Sequence, residues 1–185
     1  MSKHGSFSGN PKTEWLVDKK GADRDMALIE EFWYLDPEGK KWIVPKGSVI
    51  NGASIPRPLW STVGSPYTDD YRRASIIHDV ACNDPYVKRK DADVMFYNAC
   101  LAGGCSFVQA KLLYAGVRIG AWSSASLNSD SFTKEKMLFR VPFKPSSDEQ
   151  FLQSKFQEIA NELTTLKEEA SIAELDAVIN KHVKL

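Results

Sequence analysis

The sequence has 185 residues, 43% of them hydrophobic, which is enough for the core of one compact domain with an appendage. Lysine and arginine together number 24, and aspartate and glutamate together also number 24, so the formal net charge is zero. Because nucleic-acid-binding proteins usually carry a basic surplus, we expect no nucleic acid among the partners. The three cysteines have no regular spacing, which argues against a disulfide framework.

The first residues are polar and include two glycines and one proline, which predicts a flexible lead-in over residues 1–12. They contain no apolar stretch of signal-peptide length, and no later run is long enough to cross a bilayer. We therefore expect synthesis in the cytoplasm, no transmembrane segment, and a route other than general secretion if the protein acts outside the cell.

Residues 13–50 carry the signals of β-strands. The runs "TEWLV", "MALIEEFWYL", "KKWIV" and "SVI" are rich in β-forming residues and are separated by turn sequences such as "DPEG". This pattern predicts a small antiparallel β meander. A helix is the alternative for residues 25–35, because period alone does not settle a short apolar run.

The next stretch, "NGASIPRPLWSTVGSPY" at residues 51–67, has two glycines and three prolines, which interrupt regular structure. It also carries more apolar side chains than an exposed loop would, among them Ile55, Leu59 and Trp60. We expect an ordered connector that lies across the helical part of the protein.

Three helices are predicted next. The first covers "DDYRRASIIHDVAC" and ends before Pro85, and the second runs from about residue 88 to 102 and stops at two glycines. The third begins near Ser106 and carries one apolar stripe. Residues 13–122 therefore read as an α+β domain, in which a small antiparallel meander precedes a three-helix unit.

After Trp122 the composition changes. Residues 123–146 are predicted to form a linker or arm, and residues 147–185 a charged amphipathic helix or helical hairpin. Its apolar seam is expected to dock on the domain, on a partner or on a second copy of the chain. We also expect residues 7–122 to fold without this C-terminal helical extension. The seam consists of Phe151, Leu152, Phe156, Ile159, Leu163 and Leu166.

The residues with the strongest chemical potential lie on the first two predicted helices. The short connection "NDPYV" makes these helices antiparallel neighbours, which would bring Asp93 within hydrogen-bond reach of His78. Such a carboxylate fixes the tautomer of a general base. Asp79 points about 100 degrees away around the helix and would not orient the ring. The alternative is a buried polar network that fixes the hairpin.

Ser54 is a further candidate, because it sits at a tight turn in "NGASIP" beside small residues. Together with His78 and Asp93 it would form a triad of nucleophile, base and orienting carboxylate. The alternative is that Ser54 caps a turn or the short helix that "PRPLW" would form.

The blocks "NGASIPRPLW", "GSPYTDDYRRASIIHD" and "RKDADVMFYNA" resemble, in this order, a phage- and prophage-associated family known as domain of unknown function 1353. The resemblance covers about residues 7–122. That family more often has aspartate where this chain has Asn51, which weakens any role of that carboxylate in binding a metal or positioning a base. The phage association implies a cell-envelope substrate, or a phage or secretion-apparatus partner bound through the C-terminal helix. It also implies a location in the virion or at the envelope.

The first two predicted helices also resemble the core of the secretory phospholipases A-two, in which a His-Asp helix faces an antiparallel helix. This resemblance implies that His78 activates a water, that Asp93 orients the His78 ring and that Asp79 binds calcium. The upstream loop departs from that family in length and glycine content, and the disulfide pattern is absent. The resulting expectation is a hydrolase of a cell-envelope substrate, either a lipid ester or peptidoglycan. The alternative is a non-enzymatic phage or secretion-system accessory protein.

Overall fold

The computed structural model describes residues 3–17, 25–52, 55–64, 70–126 and 147–183. Short strands come first and helices follow, which confirms the predicted α+β class. The strands are β1 (Ser6–Phe7), β2 (Thr13–Trp15), β3 (Met26–Leu28), β4 (Phe32–Leu35), β5 (Lys41–Val44) and β6 (Val49–Ile50). The helices are α1 (Trp60–Val63), α2 (Arg72–Asn83), α3 (Arg89–Gly103), α4 (Phe107–Ser126), α5 (Ser147–Thr165) and α6 (Ile172–His182), with a 3-10 turn at Arg57–Leu59 before α1.

The strands form two antiparallel sheets of three strands each, in the orders β1-β4-β5 and β2-β3-β6. The run "MALIEEFWYL", which the sequence predicted as one strand, is divided between them. β3 ends at Leu28, and the chain bends before β4 begins at Phe32, where Glu30 faces solvent and pairs with Lys12. The helical alternative for residues 25–35 is therefore wrong.

The segment expected to be a flexible lead-in contributes the edge strand β1. Its residues pair with Tyr34 and Leu35 of β4, and the Phe7 ring stacks on Phe32 with 5.8 Å between ring centres. Gly5 precedes this strand with a φ of +91°, and a Cβ there would overlap the carbonyl oxygen of Leu35. Because only glycine fits this close approach without strain, its position helps to set where β1 begins.

Helices α2 and α3 form the predicted antiparallel hairpin. Asp84 accepts a hydrogen bond from the backbone N–H of Tyr86 in the connection, at 2.9 Å. α3 is followed by Gly104, which has the left-handed conformation typical of a helix C-terminus. Since α2 contacts α3, β5 and β6, the middle of the helix is buried, and its polar residues Ser75, His78 and Asp79 lie inside the protein.

The C-terminal helices pack on the rest of the domain. α5 contacts α4 and the 3-10 turn, and α6 contacts α4 and α5. Lys111 of α4 is 1% exposed and donates to the carbonyls of Leu166 and Lys167, which directly follow α5. The seam was expected to dock on the domain, on a partner or on a second copy of the chain, and it docks on the domain. Its residues Leu152, Phe156, Ile159 and Leu163 are buried, Leu166 is partly buried, and Phe151 is 48% exposed.

Part of the predicted linker is helical, since α4 continues through residue 126. Residues 127–146 of that linker lie outside the described residues. Within the described ranges, every helix is too short or too polar to span a membrane.

Candidate functional site

His78 of α2 and Asp93 of α3 face each other across the helical hairpin. The Nε2 atom of His78 lies 2.8 Å from Oδ1 of Asp93, and both side chains have no exposed surface. The hydrophobic face of α2 places His78 in the core, and the short connection sets the register of the facing helix. The expected contact is therefore present, while the catalytic role of the pair stays a prediction.

The Asp93 carboxylate also accepts hydrogen bonds from two guanidinium groups. Arg89 donates through Nε at 3.1 Å to Oδ1, and Arg118 of α4 donates through Nη1 at 3.2 Å to Oδ2. Burial alone would raise the pKa of Asp93, but its bond to His78 and the charge and bond of Arg89 outweigh burial and lower that pKa. Asp93 is therefore ionised at neutral pH, and Nε2 of His78 carries the shared proton.

The His78 ring is neutral for a complementary reason. Burial lowers its pKa below the usual 6.5, and the positive charge of Arg89 acts in the same direction. The hydrogen bond and charge of Asp93 oppose this lowering without overcoming it. A neutral ring with its proton on Nε2 has an unprotonated Nδ1, which is the atom that can accept a proton from a water.

Cys82 lies one helical turn after His78, with Sγ 3.7 Å from Nδ1 and 3.4 Å from Nε2. Burial raises the pKa of this thiol to about 12, so it is protonated and not a thiolate nucleophile at neutral pH. Donor atoms of His78, Cys82 and Asp93 lie within 4.8 Å of one another, as a metal site requires. Both oxygens of Asp93 already accept guanidinium hydrogen bonds, however, so a cation would have to displace them.

Asp79 is buried and points away from the His78 ring toward the connector. Its Oδ2 accepts a hydrogen bond from the backbone N–H of Asn51 at 2.7 Å. This bond attaches the start of the connector to α2. Calcium needs six to eight oxygen ligands, and the predicted role of Asp79 as one of them stays a prediction.

Ser54 lies outside the described residues, so its membership of a triad stays a prediction. Asn51, which replaces the aspartate expected from the family pattern, is exposed and contacts Asp79 through its backbone. A side-chain carboxylate at that position would not be needed for this contact.

The site is closed to solvent in the described part of the protein. A cavity of about 630 Å³ lies between β2 and the start of α2, lined among others by Trp15, Arg72 and Ile76. A second, of about 290 Å³, lies beside Trp42 and the start of α3. Neither His78 nor Asp93 lines either cavity, and the Phe96 ring lies 4.8 Å from the His78 ring.

Sequence reasoning missed the arginines that hold Asp93. Arg89 precedes Asp93 by four residues on one helix, and this spacing was a usable signal for an ion pair. Arg118 is twenty-five residues away on another helix and carries no local signal. Arg89 Nη2 and Arg118 Nε are buried without a hydrogen-bond acceptor. The surroundings of Asp93 thus hold a surplus of donors, which favours its ionised form.

Two curated relatives from Sinorhizobium fredii (strain NBRC 101917 / NGR234) match the chain. Uncharacterized protein y4jT is 32% identical over 143 residues, which is 77% of this chain and 40% of that protein. Uncharacterized protein y4iH is 39% identical over 102 residues, which is 55% of this chain and 43% of that protein. The chain thus spans about two fifths of the length of these relatives. No solved structure matches it significantly.

The family comparison covers the segment that carries the site. His78, Asp79, Arg89 and Asp93 all fall between Met26 and Val117. Residues 26–117 match the model of the family described as Protein of unknown function (DUF1353).

Proposed function

We propose that the protein is a hydrolase of a cell-envelope substrate, in which His78 is the general base and Asp93 orients it. The observation that carries the proposal is the 2.8 Å contact between Nε2 of a neutral imidazole and an ionised carboxylate. Such a contact fixes the ring and leaves Nδ1 as the proton acceptor.

In the proposed reaction, Nδ1 of His78 takes a proton from a water while the water oxygen attacks an ester or amide carbonyl. The Nε2 proton stays on the ring and in the hydrogen bond to Asp93, which stabilises the imidazolium. When the tetrahedral intermediate collapses, the imidazolium returns its proton to the leaving group. One water is consumed, and an acid and an alcohol or amine are released.

The substrate class comes from the two resemblances in the sequence. The likeness of the His78–Asp93 hairpin to the secretory phospholipases A-two supports a lipid ester. The phage association supports either a lipid or peptidoglycan, since both lie in the bacterial envelope. The names of the two relatives state no activity.

One observation favours a second candidate, a non-enzymatic accessory protein. His78 is completely buried, so turnover requires a movement that exposes Nδ1 to water and substrate. A structural network requires no such movement, because satisfied buried polar groups can fix the packing of two helices. The two candidates therefore differ in whether Nδ1 ever meets a substrate.

The deciding experiment measures release of fatty acid from phosphatidylglycerol and phosphatidylethanolamine vesicles, and of soluble fragments from purified peptidoglycan. We expect the wild-type protein to act on one of them and His78→Gln to lose roughly two to four orders of magnitude in rate. Glutamine keeps an N–H near the position of Nε2 for Asp93 but has no base at Nδ1. Each assay is repeated with calcium and with a chelator, because a rate that depends on calcium would support the predicted role of Asp79.

Asp91→Asn is the matched control, because Asp91 is an exposed acid in the first turn of the same helix as Asp93. It should keep the wild-type rate. Because burial lowers the pKa of His78, the rate of hydrolysis should stay constant as the pH falls to 6.5 and should decrease only below that pH, where His78 becomes protonated. If folded wild-type protein releases nothing from either substrate, or His78→Gln keeps the full rate, the accessory-protein candidate is favoured.

A further inference from the structure

The C-terminal helices reach the His78–Asp93 pair through a chain of buried charges. Asp176 of α6 is 8% exposed and lies at the junction of α3, α4 and α6. Its Oδ1 accepts a hydrogen bond from the Tyr114 hydroxyl at 2.7 Å, and its Oδ2 pairs with Lys90 at 2.6 Å. Nothing in the family match covers α6, which begins more than fifty residues after the matched segment ends.

Arg118 connects this junction to the pair. Its Nη1 bonds Oδ2 of Asp93 at 3.2 Å, and its Nε lies 3.8 Å from Oδ1 of Asp176. The side chain is 11% exposed, so little water is available to solvate its charge. The contact with Asp176 is a charge attraction and not a hydrogen bond, because Arg118 Nε has no hydrogen-bond acceptor. Two carboxylates that attract different edges of one planar guanidinium favour the orientation that aims Nη1 at Asp93.

We propose that Asp176 is a positioning residue for the His78–Asp93 pair and acts by holding Arg118 against Asp93. In this arrangement α6 is part of the site, and the site extends beyond residues 26–117. The inference rests on the proposed function only where activity is measured, because the hydrogen bond between His78 and Asp93 can be observed without turnover.

The charges around the junction explain why the effect would reach His78. Asp93 is shared by Arg89 and Arg118, and Asp176 is shared by Arg118 and Lys90. Loss of the Asp176 charge leaves Arg118 with one carboxylate and removes the force that fixes its Nε edge. The guanidinium then reorients about Asp93, and the carboxylate whose Oδ1 accepts the hydrogen bond from Nε2–H of His78 moves with it.

The test follows the Nε2–H proton of His78 by NMR in protein labelled with ¹⁵N-histidine. Asp176→Asn keeps the side-chain shape and an acceptor for Tyr114 but removes the charge. We expect this variant to shift or broaden the His78 signal and to lower kcat roughly 10- to 100-fold with KM unchanged. Tyr114→Phe is the matched control, because it removes a bond of Asp176 while Arg118 keeps both carboxylates, so the His78 signal should stay in place.

A double variant tests whether the effect passes through Arg118. Since Arg118→Met already removes the connection, adding Asp176→Asn should change the His78 signal no further. An unchanged His78 signal in Asp176→Asn would overturn the inference, as would an equal shift in Tyr114→Phe or additive shifts in the double variant. If the wild-type protein hydrolyses nothing but the His78 signal responds as expected, the positioning role stands and the proposed function fails.

Discussion

The imidazole of His78 and the carboxylate of Asp93 meet at 2.8 Å although they are fifteen residues apart and on different helices. Neither side chain reaches solvent, and the carboxylate is held by two arginines as well. Buried charges are tolerated only when they are paired, so this cluster has a defined protonation state at neutral pH. The imidazole is neutral and the carboxylate is ionised.

The first prediction concerns the stability of the fold in mild acid. The pKa of His78 is lower in the folded protein than in the unfolded chain, so the unfolded chain binds more protons below pH 6.5. The contribution of neutral His78 to the free energy of unfolding is therefore complete above pH 6.5, and it is lost as the pH falls toward the pKa of His78 in the folded protein. One such group contributes a slope of at most about 1.4 kcal/mol per pH unit. Urea unfolding between pH 8 and 5 measures it.

His78→Gln separates this slope from that of other groups. The pKa of His4 is also lowered by burial, so part of the acid sensitivity belongs to that residue. The variant should show a shallower decline below pH 6.5 than the wild-type protein. An identical decline in both proteins would mean that His78 is not buried in its neutral form.

The second prediction compares two acidic residues of α3. Asp93→Asn removes the charge that compensates Arg89 and Arg118, and breaking a buried pair in this way costs about 3–5 kcal/mol. Asp91→Asn removes an exposed charge near the helix N-terminus, which is worth about 0.3–1 kcal/mol. Denaturant midpoints of the two variants measure the difference. Equal small losses of stability in the two variants would show that Arg89 and Arg118 do not need Asp93 to compensate their charges.

The third prediction concerns the docking of α5. Phe156 is 1% exposed and Phe151, five residues earlier on the same helix, is 48% exposed. Phe156→Ala should cost about 3–5 kcal/mol, because it leaves a cavity in the shared core. Phe151→Ala is the control and should cost less than about 1 kcal/mol. If both cost the same small amount in urea unfolding, α5 does not pack on the domain in solution.

The fourth prediction reverses an expectation drawn from the sequence, that residues 7–122 fold without the C-terminal segment. A chain ending at residue 126 would leave buried Lys111 without the carbonyls of Leu166 and Lys167, and Tyr114 without Asp176. We expect it to lose cooperative unfolding, as followed by near-ultraviolet circular dichroism. A sharp transition at the wild-type midpoint would support the original boundary.

The hairpin and its central contact could be predicted because their determinants are local. A proline and a short polar connection end one helix and start the next, and two periodic apolar faces then fix which residues oppose each other. The strand runs were also recognisable. Their division into two sheets was not, because the bend near Glu30 depends on pairing with strands far along the chain.

The rest of the site depends on distant parts of the chain. Arg118 and Asp176 carry no pattern that relates them to Asp93, and only the packing of α4 and α6 brings them together. Similarly, the polar residues around Phe7 suggested a loose segment, while the position of β1 is fixed by its pairing with β4. Local propensity was outweighed in both places by tertiary contacts.

The central claim is that His78 is a neutral imidazole with its proton on Nε2 and an unprotonated Nδ1. ¹⁵N NMR of the histidine rings at pH 7 tests it most directly, because the shifts of the two nitrogens distinguish both tautomers and the imidazolium. We predict a protonated Nε2 coupled to Asp93 and a bare Nδ1, with a titration midpoint below 6.5. An imidazolium at pH 7, or a ring protonated on Nδ1 alone, would contradict the account.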